Sequence, residues 1–428
     1  MRRLRWPLAL TAGLLLAQTF PIGVLSDPLG VPLDPAWRLD SPWLYTLGAP
    51  LFSLWDNVAM LSRSRLTGFL LGLAVAYLAW RLLERRVRRV RMRRIVLEEF
   101  RSLILALAGL ALFVGVGMAW NTRPARRLIG LGGDELTVEI HSHTNVSHDV
   151  KSWPVSSFDA EASLQWHQRA GVDVLFVTDH NLTTGWERLG PTHDSGGVQA
   201  CPGIEISAYG AHVVVLGTPL PADPAAYRGS IENRSRLFAE VAATPGAVAI
   251  ASLPEYRGEA ADFLSEGAGG FEIVNASPKA NEFTRVERDS TVALARAHGA
   301  TLVAAGDQHG YGATPMAWNV LLEPGWRRLG GALCATVVAR FKAGGPEAVR
   351  MVERTRLRPD HWLPGFLTPL GVLWLAWATL PLAGAVSWLA WIWAIAVGSD
   401  MARRGLRERR ARAILSAVGL PFSHPAGK

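Results

Sequence analysis

Four short apolar runs in this chain end in residue types that bind metals, and that recurrence constrains the fold more than any other feature. Leu136 to Ile140 runs directly into His141-Ser142-His143-Thr144, with His148 and Asp149 close behind. On a strand, side chains at i and i+2 share a face, so both imidazoles can reach one ion. Asp173 to Thr178 is followed by Asp179-His180, and Gly203-Ile204-Glu205-Ile206-Ser207 places a lone carboxylate among apolar neighbours. Thr301 to Ala305 leads through Gly306 to Asp307-Gln308-His309, repeating the i, i+2 spacing. One such pair is compatible with an ordinary polar loop. Four strands ending alike form a constellation of ligand types.

The runs alternate with amphipathic segments, the pattern of a β/α domain. Helices are expected over Phe158 to Ala170, Ile231 to Ala243 and Phe283 to His298. The first has Asp159 near its start and Gly171 at its end. Further strands are expected at His212 to Leu216, Ala247 to Ala251, Phe271 to Val274 and Trp318 to Leu322.

The ordered set His141-x-His143-Thr144, Thr178-Asp179-His180, Pro202 to Ser207, His212 and Gly306-Asp307-x-His309 resembles the PHP (polymerase and histidinol phosphatase) superfamily. The match covers Asp134 to Glu323, under half of the chain. The resemblance implies the α/β class, with a distorted seven-stranded β/α barrel flanked here by transmembrane helices. It implies two or three divalent ions at the C-terminal ends of the strands, and phosphoester hydrolysis as the activity. Carried over residue by residue, it implies one metal site from His141, His143, Glu205 and Asp307, with Glu205 bridging. A second would use Asp149, His180 and His309, with His148 as the alternative to Asp149. Asp179 is expected to orient His180 from behind. The sequence departs from the family where a His-Pro pair is usual, since Ser252-Leu253-Pro254 carries Leu253. Leucine cannot ligate, and Glu205 with His212 is too sparse a set for a tight third site. Two divalent ions are therefore expected. His212 stays open between weak ligand, substrate contact and hydrogen-bonded strand residue. Arg257 stays open between a phosphate contact and an exposed structural arginine. Mixed imidazole and carboxylate sets suit Zn, Mn or Fe, and a bridged pair acidifies a water and holds two phosphoester oxygens. His167, His193, His298, His361 and His424 read as surface, packing or helix-end residues.

Two functions fit these residues. One is a membrane-anchored, metal-dependent hydrolase of a small phosphorylated or other ester substrate. The other is a degenerate barrel that binds metal or ligand as a sensor without turnover.

The chain's net charge of +8 and pI near 10.0 invite a nucleic-acid reading, but the charge is unevenly spread. Asp134 to Glu323 holds 24 acidic and 11 basic residues, while the remainder holds 33 basic and 12 acidic. The arginines flank apolar segments, as loops of membrane proteins do, and 49% of residues are hydrophobic, with 17 tryptophans. The expected partner is the lipid bilayer; nucleic acid is not expected. The chain divides into a membrane region (1–121), the barrel (134–325), a basic connecting segment (326–362), an apolar hairpin (363–400) and a basic tail (401–428). Spans are expected at 8–24, 66–83 and 102–120, the first open between an uncleaved helix and a signal peptide. Phe366 to Val397 suits a helical hairpin turning at Pro381 to Gly384. Eight arginines between Arg81 and Arg94 mark a cytoplasmic loop, which places the barrel outside the cytoplasm of a cell-membrane protein. A hairpin would then leave the arginine-rich tail outside as well, against the charge rule. The conflict is removed if half of that segment lies in the membrane interface, or if the barrel is cytoplasmic. Cys201 and Cys334 neither require nor exclude a disulfide.

Overall fold

The computed structural model describes residues 5–87, 92–151, 158–189, 194–195, 197–252, 258–345 and 348–417. The chain opens with α1 (Arg5–Thr19), two short strands β1 (Leu25–Ser26) and β2 (Arg38–Asp40), and then α2 (Trp43–Leu47) and α3 (Ala49–Ala59). Two long helices follow, α4 (Arg63–Val87) and α5 (Met92–Ala119). Within them Arg63–Leu83 and Leu97–Ala119 are 21 and 23 residues of high hydropathy and little burial. At 1.5 Å per residue each is long enough to cross a hydrocarbon core of about 30 Å. Leu71, Leu78, Leu105 and Leu112 are more than half exposed, a surface that suits lipid. An Arg81–Glu99 ion pair of 2.5 Å closes this helical pair far from the barrel.

The strands of the α/β region are β3 (Arg127–Ile129), β4 (Glu135–Glu139), β5 (Val174–Val177), β6 (Asp194–Ser195), β7 (Val198–Ala208), β8 (Ala211–Gly217), β9 (Ala247–Ala251), β10 (Gly270–Asn275), β11 (Thr301–Ala305), β12 (Ala317–Leu322) and β13 (Arg350–Arg354). One curled sheet of eleven strands runs β1-β13-β12-β4-β5-β7-β8-β9-β10-β11, with β6 folded onto β7, while β2 pairs with β3 separately. The seven-strand expectation is corrected here. The series from β4 to β11 is extended on the outer edge of β4 by antiparallel β12 and β13, and then by β1 from the N-terminal region. Strands β5, β9, β10 and β11 are buried along their whole length, which explains their unbroken apolar sequences. The curl brings β11 back toward β4. Ser142 and Gln308 form a parallel bridge, and the Asn319 amide donates to the carbonyls of Val138 and Ala304 at 3.0 and 2.7 Å.

The intervening helices are α6 (His148–Lys151), α7 (Ala160–Ala170), α8 (Thr184–Leu189), α9 (Ile231–Ala243), α10 (Ala260–Glu266), α11 (Arg285–His298) and α12 (Leu333–Ala343). Asp159 caps α7 by accepting from the Ala162 amide, and Gly171 ends the helix at φ 82°, a value that favours glycine. A capping box of Thr284 and Glu287 starts α11. Cys201 of β7 and Cys334 of α12 form a disulfide with Cα atoms 5.5 Å apart.

The C-terminal apolar segment differs from a hairpin of two spans. It forms α13 (Thr368–Ala378) and α14 (Leu382–Ala417), and only Leu382–Leu406 has the length and composition of a span. Both ends of α13 stay beside the barrel-side ends of other helices. Gly68 and Gly72 of α4 are packed so closely on the carbonyls of Gly365 and Phe366 that a Cβ would lie 2.5 and 2.2 Å from them. At the other end the Ala378 carbonyl accepts from the Ile22 amide at 3.0 Å. α13, with 11 residues, packs against α1, α3 and α4. The first expected span is a helix of 15 residues. Among the described residues three helices, not five, are long and apolar enough to cross a membrane.

Candidate metal centre

Every residue of the ligand constellation lies at the C-terminal end of the sheet. His141 and His143 follow β4, Asp149 lies on α6, and His180 follows β5. Glu205 sits within β7, His212 begins antiparallel β8, and Asp307 and His309 follow β11. The fold gathers them into three overlapping groups of donor atoms: His141, His143 and Asp307; His143, Asp149, His180 and His309; and His180, Glu205 and His212. His141 Nε2 and His143 Nε2 are 3.1 Å apart, and Asp307 Oδ1 lies 3.5 and 3.2 Å from them. Glu205 Oε2 is 3.2 Å from His141 Nε2, 3.3 Å from His143 Nε2 and 2.9 Å from His180 Nδ1. Its Oε1 lies 2.7 Å from His212 Nδ1. Asp149 Oδ2 stands between His180 Nε2 at 3.2 Å and His309 Nε2 at 2.7 Å.

A shell of fixed polar groups aims these donors. The Glu272 carboxylate of β10 receives His141 Nδ1 at 2.7 Å, and is itself held by the Ser252 hydroxyl and the Asn275 amide. Ser147 Oγ lies 3.2 Å from His143 Nδ1 and accepts from the His180 amide. Buried Glu139 accepts from the amides of Ile140, His141 and Gly306, tying the ends of β4 and β11 together. Gly306 leaves room for it, since a Cβ there would lie 2.3 Å from Glu139 Oε2. Burial pushes the Glu139 carboxyl up to about 7. Asp307 itself adopts φ 45°, an uncommon backbone for a residue with a side chain.

The donor set fits divalent cations. With Nδ1 of His141 turned to a carboxylate, its Nε2 presents a lone pair, and it faces another imidazole nitrogen and two carboxylate oxygens. Bonds of about 2.1 Å at tetrahedral angles put neighbouring ligand atoms about 3.4 Å apart, close to the spacings observed. Buried His180 Nδ1 and Glu205 Oε2 make no hydrogen bond of acceptable geometry. The electrostatics agree. Burial opposes the charge on Glu205, yet His141, His180 and His212 hold its carboxyl well below the usual range. Burial likewise opposes the charge on Asp307, and His141 and His309 outweigh it. Burial with His309 pushes His143 down to about 3, leaving a neutral imidazole. Burial also disfavours the charge on His141, but Glu272 and Asp307 raise it well above normal. The anionic cluster thus draws positive charge to the point where its donors meet.

Between Asp149 and His148, it is Asp149 that joins the donor group; the His148 ring packs 5.0 Å from that of His180. Asp179 differs from its expected role. Its carboxylate accepts from the amide and hydroxyl of Thr144 at 2.6 and 2.8 Å, fixing the loop after His143 rather than the His180 ring. Leu253 and Arg257 lie outside the described residues, as does His193. His167 is buried in α7 with Nδ1 on the Ser163 carbonyl, away from the cluster. Sequence reasoning missed Glu272, although a lone acid in the apolar run Phe271 to Val274 is the signal that singled out Glu205. It also missed Arg228. That residue, with His148, His180, Asn181, Ser207 and Asp223, lines a pocket of about 760 Å³ beside the centre.

No family model and no curated protein matches the chain. Several solved structures are similar to part of it. PsfC from Pseudomonas syringae shares 18% identity at a TM-score of 0.36, over 55% of this chain and 94% of that one. An amidohydrolase from Chromobacterium violaceum shares 15% at 0.29, over 42% and 88%. A two-domain protein from Bacteroides vulgatus, described as containing a predicted PHP-like metal-dependent phosphoesterase, shares 13% at 0.36, over 49% and 63%.

Proposed function

We propose that this chain is a membrane-anchored, metal-dependent phosphoester hydrolase whose barrel lies outside the cytoplasm. One observation carries the chemistry: buried Glu205 is shared by imidazoles that belong to separate donor groups. That is the arrangement a carboxylate needs to sit between two cations. His141, His143, Asp307 and Glu205 would hold one ion, and Asp149, His180 and His309 would hold the other, with Zn, Mn or Fe as the candidates. Such ions supply Lewis acidity and a water acidified toward neutral pH. Glu272 holds His141 in the tautomer that ligates, and Ser147 Oγ orients the His143 ring from its Nδ1 side. Arg228 offers a cation to the phosphoester's free oxygen from the pocket wall.

The placement outside the cytoplasm is supported by charge. The start of α4 and the end of α5 are bonded to barrel loops, and α14 starts just after Thr379, whose carbonyl accepts from Arg126, so the arginine-rich ends are the opposite ones, and basic loops stay on the cytoplasmic side. The Cys201–Cys334 disulfide agrees, since disulfides persist in oxidising compartments. The test is elemental analysis of the purified full chain together with release of the aryl alcohol from a generic aryl phosphate. Two tightly held divalent ions and turnover abolished by chelation are expected. Metal-replete protein without turnover on any phosphoester would refute the proposal in favour of a binding module.

A further inference from the structure

The metal centre lies at the end of the barrel that meets the membrane helices. The loop after β11, which carries Asp307 and His309, donates from the Gly312 amide to the Met118 carbonyl in the last turn of α5, at 2.7 Å. The loop after β10 meets the first turn of α4, where the Pro278 carbonyl accepts from the Arg63 amide. Glu282 of the same loop accepts from the amide and hydroxyl of Ser64. Because β12 is antiparallel to β4, its first residue Ala317 is at this end, and Ala317 pairs with Glu353 at the close of β13. From there the chain runs on to α13. Leu25, reached directly from α1, pairs with Arg354 at the same end. Each of these connections between barrel and apolar helices is therefore on the side of the ligands.

Large apolar side chains are exposed at that end. Val286, at the start of α11, is 78% exposed, and Trp362, on the way to α13, is 82% exposed. On the other side of the mouth Leu182 is 43% exposed, two residues after His180, and Tyr209 in the β7–β8 turn is 46% exposed. Leu182 also forms part of the pocket wall together with Arg228. The pocket thus combines an apolar edge, an arginine and His180 of the ligand cluster, at the same end of the barrel as the connections to the spans. An amphipathic substrate with an anionic head satisfies all three features; a small water-soluble phosphoester uses only the last two.

We infer that the phosphoester taken by this centre is carried by a membrane lipid. Its head enters the pocket beside Arg228, and its acyl chains stay in the adjacent leaflet. This rests on the hydrolytic reading above. The reaction is simple hydrolysis: the oxygen of water bonds to phosphorus, the P–O bond to the lipid or to its head group breaks, and the leaving oxygen takes the proton. No redox partner enters.

The test uses the full chain reconstituted in phosphatidylcholine vesicles with two matched pairs of probes. Dioleoyl phosphatidate is compared with glycerol 3-phosphate, and dioleoyl phosphatidylglycerol with glycerophosphoglycerol; an aryl phosphate serves as a control. At least one lipid is expected to exceed its soluble counterpart in kcat/KM by about tenfold or more, because partition into the leaflet raises its effective concentration at the mouth. Its rate should also fall when the lipid is diluted in the bilayer at constant bulk concentration. Soluble counterparts turned over as well as the lipids would overturn the inference and leave the hydrolase reading standing. So would turnover of the aryl phosphate without turnover of either lipid. Failure on every probe, aryl phosphate included, would remove both.

Discussion

His141 shows how much of this centre depends on residues that touch no ion. Its Nδ1 is fixed on buried Glu272, so its Nε2 is directed at the cluster. Replacing such a carboxylate partner typically weakens metal binding about 10- to 100-fold. Glu272→Gln keeps the shape and removes the charge. Metal affinity measured by chelator competition should fall by that factor while circular dichroism stays unchanged; unaltered affinity would sever Glu272 from the centre. Asp307→Ala and His143→Ala each remove a donor with no neighbour placed to substitute, so each should abolish turnover while the helices remain inserted. Near wild-type turnover in either variant would show the assignment to be wrong. The sequence made His141 with His143 and Asp307 with His309 legible by their i, i+2 spacing at strand ends, and Glu205 legible as a lone carboxylate in an apolar run. The same rule explains the misplacing of Asp179. Residues i and i+1 point to opposite faces, so Asp179 turns from His180 toward Thr144. Glu272 carried the same signal as Glu205, a lone acid in an apolar run, but its partner His141 is 131 residues away, and Arg228 lies in a non-periodic loop, so its place on the pocket wall emerges only from the fold.

At the scale of elements, a buried ionic cluster joins the membrane region to the barrel. Asp56 of α3 is fully buried and pairs with Arg123 at 2.8 Å and Arg354 at 3.0 Å. It also accepts from the Tyr45 hydroxyl at 2.9 Å and from Thr314 at 2.8 Å. Thr314 belongs to the loop that carries Asp307 and His309. Removing one partner of a buried pair strands the others, at about 3–5 kcal/mol. Asp56→Asn should therefore lower the Tm of the solubilised full chain clearly; an unchanged Tm would show the cluster to be energetically idle. Burial opposes the Asp56 charge, but Arg354 and Arg123 hold its carboxyl down at about 2, against an ordinary 3.8. A carboxyl depressed on folding stabilises above its unfolded pKa and loses that stabilisation as pH falls through the folded value. The wild-type advantage over Asp56→Asn should accordingly be full at neutral pH and shrink below pH 3.8 toward 2. In sequence Asp56 is only an isolated acid in an apolar helix, with its partners 67 and 298 residues away. The break between α13 and α14 falls beside Pro381, where the apolar run was expected to turn, but composition alone did not show that α13 has only 11 residues while α14 carries a span-length stretch.

For the whole molecule, the β/α series was legible from local pattern, whereas β1, β12 and β13 join the sheet through pairings between distant segments that no local pattern encodes. Topology follows from combining the two sources. Taken alone, the sequence set the cytoplasmic loop between Arg81 and Arg94 against the basic tail after Asp400, because a hairpin would have sent that tail outward. Among the described residues α14 is the only helix after the barrel with a span-length apolar stretch, and under the proposed orientation the tail leaves on the side opposite the barrel, as do the ends of α4 and α5. Two arginines just after α5 are paired within the fold. Arg123 is neutralised by Asp56 and Arg127 faces Asp40 at 3.3 Å, so they are structural charges rather than a cytoplasmic loop. Under the proposed orientation all three arginine-rich stretches obey one rule, with the barrel and its disulfide outside. A reporter active only outside the cytoplasm, fused after Glu323, should be active in cells. In the same cells, with the unfused chain, Cys201 and Cys334 should resist thiol alkylation until a reductant is added. A silent external reporter with an active cytoplasmic one at the same position, together with thiols alkylated without reductant, would reverse the orientation and place the metal centre against the inner leaflet.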